Sequence, residues 1–169
     1  LAVAPNGTIY VTENFAGNLV RKTPNGKVAT IRPGKKGSEV GGVSVAGKSV
    51  IVTVTPPAGP AVIKKVTKSG KISTIGNTGK FETIYGFGDI SDECAAQFTD
   101  PTFPANYPGG VDSHPYATDT VGGTTYVADA GANAVFALKN GALTTVAVLP
   151  PVPVEISAEM AQAVGLPEC

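Results

Sequence analysis

Three stretches of the chain repeat one grammar, and that repetition limits what it can fold into. They are "LAVAPNGTIYVTENFAGNLVRKTPNGKVATI" (residues 1 to 31), "GVSVAGKSVIVTVTPPAGPAVIKKVTKSGKISTI" (42 to 75) and "PYATDTVGGTTYVADAGANAVFALKNGALTTVAV" (115 to 148). In each, a short apolar strand meets a glycine-bearing turn at Asn6-Gly7, Ala46-Gly47 or Gly122-Gly123. A second strand follows ("TIYVTE", "SVIVTV", "TTYVAD"), and after a loop a third ("NLVRKT", "AVIKKV", "NAVFAL"). A second turn, at Asn25-Gly26, Ser69-Gly70 or Asn140-Gly141, opens a fourth. β-Branched residues at alternate positions give the period of two expected of half-buried strands. The Asn-Gly pairs predict type I′ hairpins, in which both central residues take positive φ.

Four antiparallel strands per unit, at a first spacing of about 40 residues, describe a β-propeller blade. The expected fold is therefore all-β: about three four-stranded blades, near residues 1–34, 40–76 and 114–150, with two short helical insertions. Propellers close with about four to eight blades. Three blades would thus be part of a six- or seven-bladed ring, completed by further blades from the same precursor or from another chain. A chain that opens inside a strand pattern, with no Met, and halts at Cys169 fits that expectation. Open strand edges on the end blades would otherwise invite aggregation.

"YVADAGANAVFAL" and "IYVTENFAGNLVRK" look like an NHL-type blade core. The run from Gly88, "GDISDECAAQFTDP", continues through "DSHPYATDTVGGTTYVADAGANAVF" to "VAVLPPVPVEISAEMAQAVGLPEC", and it resembles the ScyD/ScyE family. The resemblance implies a secreted bacterial propeller of unassigned activity, about twice this length, with a signal peptide and further blades.

The 169 residues carry 13 basic and 13 acidic side chains, so the net charge is zero, but the two signs are segregated. Residues 1 to 80 hold twelve Lys/Arg against Glu13 and Glu39; the remainder holds only Lys139 against eleven acids. A basic half usually suggests an anionic partner. Nucleic acid is not expected, because the stacking aromatics and Arg forks of such a site are missing. The division fits blades packing beside oppositely charged neighbours. No apolar run reaches the roughly 18 residues of a membrane helix; the longest, "TTVAVLPPVPV", is broken by three prolines, so no membrane partner is expected. Cys94 and Cys169 stand alone, with a single histidine in the chain, which leaves zinc without a ligand set. A disulfide would suit a secreted protein, and two buried thiols a cytosolic one.

Residues 77–113 form a long insertion rich in aromatics, where "SDECAAQF" reads as a short helix capped by Ser91. A second insertion, 154–166, reads as a helix capped by Ser157 and stopped at Gly165. On a propeller face such insertions would roof the channel and carry specificity. His114 precedes the innermost strand of the third unit, which places it near the channel mouth with Asp112 and Tyr116 as a candidate ligand-binding set. His114 is also the one candidate catalytic residue, as a general base; alternatively it holds its own loop together. Asp89, Asp92 and Asp112 are the candidate metal ligands, within an acidic run that also includes Glu93, Asp100 and Asp119. Calcium needs about six to eight oxygens, and no Asp-x-Asp-x-Asp-Gly loop is present, so a divalent cation is at most an optional cofactor. Asp129 and Glu13 occupy equivalent strand ends, which points to a structural carboxylate that serves backbone donors. Neither a nucleophile elbow nor a phosphate loop occurs, and Asn6-Gly7-Thr8, formally a glycosylation sequon, is explained as a turn. Two functions remain: a secreted binding or scaffold propeller for a protein, glycan or small ligand, or a metal-dependent propeller lyase or lactonase.

Overall fold

The computed structural model describes residues 1–79, 91–99, 113–149 and 157–167. These fall into two units: residues 1–79 with 113–149, and residues 91–99 with 157–167. The first unit holds three four-stranded antiparallel sheets, each a meander in chain order. Blade 1 comprises β1 (Ala2–Val3), β2 (Ile9–Glu13), β3 (Asn18–Lys22) and β4 (Val28–Arg32). Blade 2 comprises β5 (Glu39–Ala46), β6 (Ser49–Thr55), β7 (Val62–Thr67) and β8 (Ile72–Asn77). Blade 3 comprises β9 (Pro115–Val121), β10 (Thr124–Asp129), β11 (Ala134–Lys139) and β12 (Ala142–Val148).

The meander puts six tight turns at one end of the blades, here the hairpin end. The β2–β3, β6–β7 and β10–β11 loops and the connections between blades lie at the opposite, loop end. The Asn-Gly turns divide into two kinds, which corrects the expectation of type I′ hairpins at these pairs. Asn140-Gly141 has positive φ at both residues (52° and 80°), as does Gly122-Gly123. At Asn6-Gly7 and Asn25-Gly26 only the glycines, at 79° and 87°, are left-handed. Pro5 and Pro24 stand just before each asparagine, and a proline, with φ fixed near −65° at the second turn position, favours a type I turn followed by a left-handed glycine bulge. The Gly7 amide accordingly donates to the Ala4 carbonyl at 2.8 Å, and the Asn6 side chain accepts from the Thr8 amide at 3.1 Å. The Thr67–Gly70 turn takes the same form with Lys68 in the proline's place, Gly70 having φ 86° and its amide donating to the Thr67 carbonyl at 2.9 Å.

Two apolar seams join the three blades. Along β6, Val50, Val52 and Val54 belong to a cluster with Leu19, Val40 and Val66, and Tyr10 and Ile31 of blade 1 pack against it. Ile51, which points the other way, joins Ile63, Val127, Phe136 and Leu138. Blade 2 is therefore cored on both faces. At the second seam the backbones of β5 and β9 nearly touch. A Cβ on Gly42 would lie 2.4 Å from the Thr118 nitrogen, and one on Gly41 would lie 2.3 Å from the Pro115 oxygen. The register of β5 on β6 breaks across this glycine pair. Thr53 Oγ1, fully buried, accepts from the Gly42 amide at 2.9 Å and donates to the Pro115 carbonyl at 2.5 Å, linking the strands that meet there.

The second unit contributes α1 (Asp92–Ala95) and α2 (Ala158–Val164). Ser91 Oγ accepts from the Cys94 amide and Ser157 Oγ from the Met160 amide, each at 3.2 Å, as N-caps do. Gly165 ends α2 with φ 69°, the left-handed stop. No helix among the described residues is long and apolar enough to cross a membrane.

Candidate ligand cavity at the loop end

A cavity of about 310 Å³ opens at the loop end of blades 2 and 3. Its wall is the 55–59 loop (Thr55, Pro56, Pro57, Ala58, Gly59), the Gly37–Glu39 approach to β5, and Ser113–His114 ahead of β9. Two adjacent prolines and Gly59 at φ 88° keep the 55–59 loop from extending either strand. Glu39 is placed by its pairing with Thr55 across β5 and β6. Its Oε2 is buried and has no hydrogen-bond partner. Buried carboxylate oxygens are normally satisfied, so Glu39 is an acceptor held ready beside the cavity.

His114 owes its position to Asp129. That carboxylate is buried at the end of β10, where Oδ1 accepts from the backbone amides of His114 at 2.8 Å and Ala132 at 3.1 Å. Its Oδ2 accepts from Ser113 Oγ at 2.5 Å, and Ser113 in turn shares a 2.6 Å hydrogen bond with Thr78 of blade 2. The Ala130 amide returns a bond to the His114 carbonyl at 3.0 Å. Asp129 thus clamps the entry to β9 and the turn after β10, which is the structural carboxylate expected of it. Glu13 at the matching position does something different: exposed, its Oε2 accepts from Asn18 Nδ2 at 2.7 Å. The His114 imidazole stacks on the Tyr116 ring, with centroids 5.7 Å apart and planes 17° from parallel. Tyr116 is half exposed, so the pair forms an aromatic ledge.

The structure therefore brings His114 and Tyr116 together. Asp112, Asp89 and Asp100 lie outside the described residues. Asp92 stands exposed in the first turn of α1, where a carboxylate complements the helix N-terminus. Asp119 accepts from the next residue's amide, Thr120, at 2.8 Å. Among the described residues no three His, Cys, Asp or Glu side chains gather to hold a metal ion. Cys94 is buried and Cys169 lies outside the described residues. Glu39 is the residue that reading the sequence missed. The one available signal was its isolation, since it is one of only two acids in the first 80 residues.

No protein-family profile matches the chain, and no curated protein matches it. Solved structures do. A selenomethionine-substituted virginiamycin B lyase from Staphylococcus aureus superposes with a TM-score of 0.55 at 19% identity, over 88% of this chain and 40% of its own length. A catalytically inactive form of that lyase, solved with quinupristin, gives 0.51 at 18% identity, over 85% and 39%. A streptogramin B lyase gives 0.54 at 17%, over 88% and 39%. The chain spans about 40% of the length of these structures. At such identities the likeness concerns the fold alone: three four-stranded antiparallel blades of a β-propeller.

Proposed function

We propose that this chain supplies three blades of a secreted propeller that acts as a binding or scaffold protein, with a ligand seated in the loop-end cavity. The observation that carries this reading is that Glu39, whose Oε2 is a buried acceptor without a partner, and His114, stacked on Tyr116, line one cavity. A ligand with a hydrogen-bond donor for Glu39 and a flat or apolar face for the ledge fits this chemistry, as a glycan, a peptide side chain or a small molecule would. The reading includes further blades packed on the exposed faces of blades 1 and 3, from the same precursor or another chain, and a Cys94–Cys169 disulfide as a secreted protein would form. In its support, no cysteine among the described residues is free. Membership of the ScyD/ScyE family is part of the same proposal. NMR mapping with acetamide and 2-propanol as probes tests the site. Shifts should concentrate at Glu39, His114 and Tyr116 and vanish in His114→Ala; probes that collect elsewhere would remove it.

A second reading, a metal-dependent propeller lyase or lactonase, is favoured by one feature: a carboxylate and an imidazole line the same cavity. Glu39 and His114 would hold a divalent cation with ligands from Asp112 or from further blades, the carboxylates serving a hard ion such as calcium and the imidazole a transition metal. When bound, the metal would polarise a substrate oxygen. Tight, stoichiometric binding of calcium, magnesium or manganese, lost in both His114→Ala and Glu39→Gln, would select this reading. Absence of binding to the assembled ring would eliminate it.

A further inference from the structure

At the hairpin end, the cleft between blades 1 and 2 gathers basic side chains with no acid among its lining residues. Arg21 of β3 enters from blade 1 beside Tyr10 and Ile31. Blade 2 supplies its two turns, with Lys48 and Ser49 from one and Thr67 to Gly70, including Lys68, from the other. The cavity measures about 190 Å³. Arg21 Nε is buried and has no hydrogen-bond partner. A guanidinium is never neutral in a protein, so a buried N–H left unpaired on it is costly. Three cations around one small cleft also repel one another, more so where protein excludes water. The two acids of the basic half, Glu13 and Glu39, sit at the far ends of β2 and β5, where they relieve neither problem.

The next seam shows that this is not simply how blades meet. There Lys65 occupies the position of Arg21: Tyr10 pairs with Arg21 across blade 1, and Ile51 pairs with Lys65 across blade 2. Lys65 faces the two hairpin turns of blade 3, with Gly122-Gly123 and Asn140-Gly141 on the cavity wall, and it is the only cation in the lining. The geometry is shared and the charge is not.

We infer that the cleft between blades 1 and 2 is a binding site for a tetrahedral oxyanion, a phosphate or sulfate group, free or carried on a larger ligand. Arg21 supplies a planar donor fork, Lys48 and Lys68 supply point charges, and the hydroxyls of Ser49 and Ser69 add donors at the rim. The site is on the opposite end of the blades from the Glu39–His114 cavity, so it stands or falls independently of the proposed function.

Titrating the 169-residue chain with inorganic phosphate and, separately, inorganic sulfate at constant ionic strength tests it by NMR. Either ion should produce saturable amide shifts at Lys48, Ser49, Ser69 and Gly70, and the stronger of the two identifies the group. Arg21→Gln should weaken binding about tenfold and Lys48→Gln about three- to fivefold, whereas Lys65→Gln at the neighbouring seam should change it less than twofold. If Arg21→Gln perturbs folding, the exposed pair Lys48→Gln and Lys68→Gln carries the same test. Shifts no larger than chloride produces, or equal losses from Arg21→Gln and Lys65→Gln, would overturn the site.

Discussion

The middle blade and its two neighbours follow one strand plan but differ in what covers them. Blade 2 carries buried apolar side chains on both faces: five successive residues of β6, Val50 to Val54, are buried. Blades 1 and 3 each have one such face. On the other, β10 alternates between buried Thr125, Val127 and Asp129 and the more open Thr124, Tyr126 and Ala128. Val11 and Val28 of blade 1, and Tyr126 and Val146 of blade 3, remain exposed. Blade 2 is thus not a sheet with a wet side. Both of its faces are core positions, whereas blades 1 and 3 each leave apolar side chains on one face open to solvent.

Substitutions on opposite faces of blade 3 would sharpen that comparison most. Phe136 is 0% exposed and Tyr126 is 41% exposed. Phe136→Ala should cost about 3–5 kcal/mol by leaving a cavity in the second seam, while Tyr126→Ala should cost the chain under about 1 kcal/mol. Chemical denaturation measures both, and equal losses would break the distinction between covered and open faces. Next in size is Gly42→Ala, which forces a methyl group against the Thr118 and Ala117 backbone. It should destabilise by about 2–3 kcal/mol, whereas Gly26→Ala, with open space around it, meets only the penalty of its φ of 87°. A smaller effect, about 1–2 kcal/mol, is expected of Asp129→Asn, because one clamp donor loses its acceptor. Glu13→Gln at the matching position of blade 1 should fall within about 0.5 kcal/mol, since that carboxylate is exposed.

The smallest expected effect concerns the basic half. Arg32 is buried, which lowers its pKa, and its guanidinium donates to the Gly17 carbonyl. Partial burial first, and then the charges of Arg32 and Lys35, hold the Lys64 ammonium below its ordinary 10.5. A base whose folded pKa lies below its unfolded value is more protonated when unfolded within that window. Stability should therefore rise as pH climbs through the folded pKa toward 10.5. Comparing pH–stability curves of wild type and Lys64→Gln checks this: the rise just below 10.5 should be shallower in the variant.

Much of the fold was legible because propeller blades are built from local signals. Glycine turns, alternating β-branched strands and the serine caps of both helices lie within a few residues of the structure they specify. What was not legible depends on contacts between repeats. The Gly41–Gly42 pair reads as part of an ordinary strand, and only the approach of β9 explains why no side chain fits there. Arg21 looks like any strand lysine or arginine until the turns of blade 2 close over it. Pro5 and Pro24, by contrast, are local signals, and they favour the type I turns found at Asn6-Gly7 and Asn25-Gly26. At the candidate site His114 and Tyr116 were legible from β9, which begins just after His114 and carries Tyr116. Glu39 was not, because it and His114, 75 residues apart in sequence (114 − 39), are brought together by the packing of two blades rather than by any motif.

In the proposed ring, further blades cover the open faces of blades 1 and 3. The most direct test is the native mass of the chain as it occurs with its natural partners, measured beside the denatured intact mass. The expected result is a native species well above the 17.0 kDa of these 169 residues, as one longer chain or as several chains, with Tyr126 and Val11 protected from solvent. A compact, stable 17.0 kDa monomer with Tyr126 as exposed as it is here would contradict it.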